Sequence, residues 1–441
     1  MSDPGTVARS GNWHWLGLLV VLCIAAWVQV TAIHETRLLN AGGPDAAAYV
    51  SYAYNLREFG VYSRTRTWDG RGNVPIPDSV STPGYPLFLS AFLRDVPDQG
   101  FMDRVVVAQA ALGTATALLS FLLCLRVCGP LAATVGGVLV AITPHLATIS
   151  TNLLTEPLYT VLLVAWLLAT VHAIRSRNPW TWAFSGALFG LACLVRPTLQ
   201  PLLPIAALSL LAIPVLRARW REGLAAVLVA CALLAPWLAY KHSHPAQPDL
   251  LRATLYHGSF PGFMFEDDPR TLGMAYRFDP EASRAMASNE GLLEVVGSRM
   301  RAQPLRYAGW YLVGKPIYFL AWDNSAGGTS DAFIYPATAS PFRDRPAFRA
   351  MHAGMWILHW PLMLLAVATA VIAWLRPAAL TGIGDLAALR FLATIALGAI
   401  ALHMIGAPYP RYGIPFQPLL YVLALSGLMG LMRGAGSRGQ T

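Results

Sequence analysis

The chain has 441 residues, of which 55% are hydrophobic and 12% charged, and its mean hydropathy is +0.48. Soluble globular chains carry about 25% charged residues, so this composition excludes an ordinary soluble domain and marks a membrane protein. The net charge of +9 is almost wholly arginine, since Lys241 and Lys315 are the only lysines; arginines in short links between apolar runs orient helices in a bilayer and imply no nucleic-acid partner.

The first predicted span, 13–32, comes after a short segment bearing Arg9 and ends in Val-Thr-Ala, which resembles a signal-peptidase site. Its apolar run exceeds the roughly 7–15 residues of a signal h-region, so a retained anchor is expected. Whether retained or cleaved, this segment exports loop 33–103 and places it outside the cytoplasm. Within that loop, 40–60 reads as a short helix, with Asp45 opening a run of helix formers after Gly43 and Pro44. Tyr49, Tyr52 and Leu56 share one side of it, as expected of a helix lying in the headgroup zone.

Further spans fit 104–125, 131–149, 157–174, 180–195, 199–216 and 223–240. Arg126, Arg175 with Arg177, and Arg217 with Arg219 and Arg221 sit in alternate links, which places those links inside. A second polar region, 241–350, contains an amphipathic stretch at 289–306 and an apolar stretch at 307–322. The latter is short for a span and holds Gly314-Lys315-Pro316, so a re-entrant or surface helix competes with a crossing. The last spans fit 355–375, 386–405 and 412–431. With Arg376, Arg390, Arg433 and Arg438 inside, Arg411 faces outside, and so do Arg343, Arg345 and Arg349, in a long loop where charge bias is a weak guide. The fold class expected is an all-α polytopic membrane protein, about 10–11 transmembrane helices in one integral domain over 1–441, with interfacial helices in its two long extracytoplasmic loops. No internal repeat favours an inverted-repeat transporter.

This topology gathers Asp45, Glu156, Arg196 and Arg411 at one bilayer surface, where ionisable groups are functional candidates. Each also has a plainer reading: a helix cap for Asp45, a first-turn acid favoured by the helix dipole for Glu156, and headgroup anchors for the two arginines. Together they suit a lipid phosphate. Arginine matches phosphate oxygens with a planar fork, and a nearby carboxylate can accept the proton of an attacking hydroxyl.

The five cysteines, Cys23, Cys124, Cys128, Cys193 and Cys231, lie in or at the ends of predicted spans without a zinc-type spacing, and read as packing residues. His242 and His244 in "KHSHP" have a metal-compatible spacing but more simply mark a solvated loop, and Glu266-Asp267-Asp268 reads as a hydrophilic turn or a cation or acceptor site. No Gly-rich nucleotide cradle precedes a helix, so the chain offers no P-loop for ATP.

The segments "GGPDAAAYVSYAYNLREFGVYS", "STPGYPLFLSAFL", "TNLLTEPLYTVLLVAWLLA", "LVRPTLQPLLP" and "PYPRYGIPFQPLLYVLAL" resemble, in order, the landmarks of GT-C membrane glycosyltransferases. The resemblance is to the branch of the protein O-mannosyltransferases and the lipid A aminoarabinose transferase. It implies an inverting transferase that moves a sugar from a polyprenyl-phosphate donor to a glycan, lipid or protein acceptor. It also implies a multi-pass protein of a bacterial cytoplasmic membrane, with its site facing the periplasm or cell exterior among membrane lipids.

By that pattern Asp45 is the catalytic base or the acceptor-site carboxylate, with Glu156 beside it as the second catalytic-site acid. Arg411, with Arg196 or Lys315, matches the basic residues that hold the donor phosphate; Tyr49, Tyr85 and Tyr412 are the further substrate-binding candidates. The sequence leaves the metal requirement open, with a divalent cation as the one candidate cofactor. Two departures stand out: Ser81-Thr82-Pro83-Gly84 replaces a Glu-Lys pair, and Asp45 lacks an adjacent acid. The rival function is a transporter or flippase of a lipid-linked or anionic substrate, which would bury its charges near the bilayer midplane.

Overall fold

The computed structural model describes residues 13–39, 43–69, 72–244, 249–264, 270–271, 273–323, 332–380 and 385–438; Arg9 and Glu266-Asp267-Asp268 lie outside them. From the N-terminus, α1 (Trp13–Glu35) leads through strand β1 (Arg37–Leu38) to α2 (Pro44–Phe59) and α3 (Gly84–Ser90). Next come α4 (Gln99–Val127), α5 (Pro130–Ile142), α6 (Pro144–Thr148), α7 (Glu156–Arg175), α8 (Pro179–Val195), α9 (Leu202–Ala212), α10 (Pro214–Arg217) and α11 (Trp220–Ser243). The second polar region holds α12 (Leu250–Gly258), α13 (Ala282–Ala287), α14 (Asn289–Ala302), α15 (Pro304–Gly309), α16 (Lys315–Phe319), strand β2 (Ala337–Ala339) and α17 (Pro341–Asp344). The chain ends with α18 (Pro346–Leu375), α19 (Leu386–Ile405), α20 (Pro410–Gly413) and α21 (Gln417–Arg438).

The polytopic all-α class stands, and the spans differ in how they are built. Among the described residues seven helices are long and apolar enough to cross a membrane: α1, α4, α7, α11, α18, α19 and the continuous Pro410–Arg433 segment. The expected span 131–149 is a pair, Pro130–Ile142 and Pro144–Thr151, bent by 52° where Pro144 interrupts the hydrogen-bond ladder. Span 180–195 is the shorter α8. Span 199–216 is broken into α9 and α10 because Ile213, preceding Pro214, is held extended at ψ 114°. Stretch 307–322 is not a long apolar helix: α15 and α16 are joined by a π-helical turn at Trp310–Gly314, and the Trp310 indole donates to Gly258 O at 2.9 Å.

Helices α1, α4 and α5 pack together, and α4, α7, α8 and α11 lie side by side in that order. The apolar α21 lies against α18, α5 and α4, and every side chain from Leu419 to Leu425 is buried. A helix apolar all round belongs inside a bundle, and burying α21 carries the turn before it, with Arg411, into the interior.

The polar loops are fastened rather than laid on the surface. Tyr52 is fully buried, stacks on Tyr62 with ring centroids 4.3 Å apart, and donates its hydroxyl to Asp78. This corrects the expectation that the tyrosine side of α2 faces headgroups. Gly60 closes α2 in the left-handed conformation, φ +65°, which glycine adopts without steric strain. Antiparallel pairing of Arg37 with Ala339 and Leu38 with Ala337 ties the first loop to the second. Arg345 pairs with Glu35 at the end of α1, so it lies on the same face as the first loop, as expected.

The Ser81-Thr82-Pro83-Gly84 segment docks on the end of α8. Thr82 donates to Val195 O at 2.9 Å, and a Cβ on Gly84 would lie 2.7 Å from Leu194 O. Gly84→Ala should therefore destabilise the purified protein by about 1–3 kcal/mol, the usual overpacking penalty, read as a lowered Tm in detergent. An unchanged Tm would contradict this close approach.

Candidate active site at the helix ends

Glu156 opens α7, with Thr155 before it and Pro157 after it, and its side chain is 0% exposed. A carboxylate in a first turn gains from the helix dipole, but full burial demands charge partners as well. Two arginines supply them. Arg196, the residue that caps α8, brings Nη1 within 2.7 Å of Glu156 Oε1. Arg411, on α20, donates Nε to the same oxygen, while Thr155 Oγ1 donates to Oε2 at 3.2 Å.

Arg411 also reaches outward, with Nη1 donating to Asp45 Oδ2 at 2.7 Å. Side-chain exposure rises along this chain of contacts, from 0% at Glu156 and 9% at Arg196 to 18% at Arg411 and 43% at Asp45. The four groups carry two positive and two negative charges, so the resting cluster is neutral. Its open end is a carboxylate with an arginine behind it.

Surrounding residues fix this geometry. Arg196 lies over the Tyr412 ring at 4.7 Å and near the Tyr159 ring at 5.8 Å, which locks the guanidinium plane. Pro410 starts the turn bearing Arg411, and a Cβ on Gly413 would lie 2.1 Å from Phe319 O, so only glycine lets that turn seat on α16. Tyr49 meets Tyr85 edge to face with centroids 5.2 Å apart. Burial, and then Asp45, pushes the Tyr49 phenol well above its ordinary pKa, so it stays protonated.

Asp45, Glu156, Arg196 and Arg411 are thus brought together, with Tyr49 and Tyr412 beside them. Two other expected residues are placed differently. Tyr85 is fully buried behind Tyr49 and donates to Gln109 Oε1 at 2.7 Å, an arrangement that supports Tyr49 instead of facing a substrate. Lys315 is buried too; its Nζ donates to Ile405 O at 3.1 Å and Gly406 O at 2.8 Å and sits 3.7 Å over the Tyr311 ring. Burial pulls its pKa down to about 7. The amine closes the end of α19 and is not presented to the cluster.

Two residues were missed in the sequence. Tyr335 donates to Asp45 Oδ2 at 3.4 Å and is delivered by the β1–β2 pairing, which no local pattern announces. Burial first, and then Asp45, pushes its pKa up to about 12. Gln109 was detectable, as an amide inside an apolar span: its Nε2 holds Ser150 O at 3.0 Å and Asn152 O at 2.7 Å, which fixes the approach to Glu156.

Among the described residues no group of three or more His, Cys, Asp and Glu is placed to hold a metal ion. The two carboxylates of the cluster are bridged by Arg411, so this donor set does not fit a divalent cation.

Removing one partner of a fully buried pair leaves uncompensated charge, whereas a half-exposed pair is screened by solvent. Glu156→Gln should accordingly lower stability by about 3–5 kcal/mol, and Asp45→Asn by less than about 1 kcal/mol. Thermal unfolding of both variants in one detergent checks the order; equal small losses would contradict the organising role given to Glu156.

Residues 81–240 match the family model described as dolichyl-phosphate-mannose-protein mannosyltransferase. No match was found among curated protein sequences. The fold is similar to that of the oligosaccharyltransferase AglB of Archaeoglobus fulgidus in complex with an inhibitory peptide and a dolichol-phosphate. The TM-score is 0.51 at 15% identity, covering 95% of this chain and 50% of that one. The complex of the Archaeoglobus fulgidus oligosaccharyltransferase with Zn and sulfate gives a TM-score of 0.51 at 14% identity, covering 96% and 50%. ArnT from Cupriavidus metallidurans bound to undecaprenyl phosphate gives 0.40 at 16% identity, covering 97% and 79%. The chain spans about half the length of the oligosaccharyltransferase chains it matches. The resemblance read from the sequence therefore holds at the level of architecture: this multi-pass membrane protein has a glycosyltransferase-type, GT-C fold.

Proposed function

We propose that the protein is an inverting glycosyltransferase that moves a sugar from a polyprenyl-phosphate donor to an acceptor hydroxyl at the extracytoplasmic face of a bacterial cytoplasmic membrane. The observation that carries this reading is Arg411 held between a buried glutamate and a partly exposed aspartate, at helix ends on one face. The dolichol-phosphate bound by the oligosaccharyltransferase of like fold supports a polyprenyl phosphate as the leaving group. Charges at helix ends on one side, and not at the middle of the spans, favour transfer over transport.

In the reaction, the acceptor oxygen attacks the anomeric carbon from the face opposite the phosphate. The new carbon–oxygen bond forms as the carbon–phosphate-oxygen bond breaks, the hydroxyl proton passes to Asp45, and polyprenyl phosphate departs with the bonding electrons. Arg411 is the group that changes partners. Glu156 keeps hold of Nε, while Nη1 leaves Asp45 and turns to the phosphate, which frees the carboxylate to act as base. Arg196, fixed by Glu156 and Tyr412, adds fixed positive potential behind it. A cavity of about 340 Å3 beside Tyr412, mostly apolar and also lined by Thr82, Lys241 and His403, has room for part of the lipid-linked donor.

Purified protein in nanodiscs, given a polyprenyl-phosphate sugar and an acceptor, should release polyprenyl phosphate; absence of release across donors and acceptors would remove the transferase assignment. Asp45→Asn should fold and lose at least about 100-fold in rate, because an amide cannot take the proton. Arg411→Lys should weaken donor binding by about 1–3 kcal/mol, with a further loss in rate as phosphate charge develops. Donor titrations indistinguishable from wild type would eliminate Arg411 as the phosphate ligand.

A further inference from the structure

On the opposite face, α4, α7 and α8 leave a groove between them that the proposed reaction does not use. Helix α7 begins in the charge cluster and runs 20 residues to Arg175, about 30 Å, so its far end is roughly a hydrocarbon thickness away. The groove there measures about 580 Å3, a volume typical of small-ligand sites. Its walls are apolar, with Leu122 and Leu168 along the sides and Phe184 exposed toward lipid. Its polar end carries Arg126 and His172, and Trp180, 79% exposed, stands there as interfacial tryptophans do.

Two neighbouring cations are already engaged. Arg175 donates to Asp385 at 2.7 Å and to Arg126 O at 3.3 Å, and Arg219 caps α7 through Ile174 O and Ser176 O. Arg126, by contrast, is exposed, and among the described residues its guanidinium makes no hydrogen bond or ion pair. A lipid-facing apolar groove that ends in an unspent arginine at headgroup depth is complementary to one kind of ligand, an acyl chain bearing an anionic phosphate.

We propose that this groove binds an anionic phospholipid of the leaflet opposite the charge cluster, its acyl chain along Leu122 and Phe184 and its phosphate on Arg126. The site is separate from the transferase cluster and does not depend on that reading.

The test is native mass spectrometry of lipid retained by protein released from nanodiscs holding equal phosphatidylglycerol and phosphatidylcholine of the same chains. Wild type should retain phosphatidylglycerol over phosphatidylcholine by roughly five-fold, the scale of one arginine at an anionic surface. Arg126→Gln, an exposed position whose Tm should not move, should abolish the preference. Leu122→Trp, which fills the groove, should reduce retention of both lipids, and Arg177→Gln, on the same face outside the groove, should change nothing. Three results would each overturn the site: no preference in wild type, a preference surviving in Arg126→Gln, or full retention in Leu122→Trp. Equal loss of preference in Arg177→Gln would reduce it to general surface charge.

Discussion

A glutamate with no solvent exposure at the start of a membrane helix is the constraint on which the arrangement depends. An isolated carboxylate is not tolerated at such a position, and one arginine against it would leave the other lone pairs and charges of the region uncompensated. Glu156 therefore draws Arg196 from the end of α8 and Arg411 from the turn before α21, and the second of these reaches on to Asp45 in the first loop. Four segments far apart in the chain become one object because of a single buried charge.

The scaffold serves that convergence. Helix α21 is buried along Leu419 to Leu425, which draws the preceding Pro410–Gly413 turn inward, and Gly413 lets it seat against Phe319. The β1–β2 pair brings Tyr335 over Asp45, and the Ser81–Gly84 segment closes on the end of α8 beside Arg196. The outer end of the cluster stays partly open while its inner end is sealed. That gradient suits a device in which an inner contact is permanent and an outer contact exchanges.

Much of this was legible in the sequence, and particular residues show why. Hydropathy and the alternation of arginines placed Asp45, Glu156, Arg196 and Arg411 on one face, because helix length and bilayer thickness leave little freedom in topology. Which residue would be innermost was not legible: the order from Glu156 outward to Asp45 is set by tertiary packing. Lys315 illustrates the limit, since a lysine in an apolar stretch suggests a phosphate ligand, yet the amine is occupied by the carbonyls of Ile405 and Gly406. Spans interrupted by proline, such as 199–216, read as continuous on hydropathy because the apolar composition persists across the break at Pro214. Tyr335 was invisible because its position comes from a strand pairing of only two and three residues.

The proposed reaction requires Arg411 to exchange Asp45 for a lipid phosphate while Glu156 retains it. A structure of the protein with polyprenyl phosphate bound in a nanodisc tests this directly. The exchange of partners predicts a phosphate oxygen within hydrogen-bond distance of the Arg411 guanidinium, the Arg411–Glu156 contact intact, and the Asp45 carboxylate released. A phosphate bound elsewhere, with Arg411 still paired to Asp45, would contradict it.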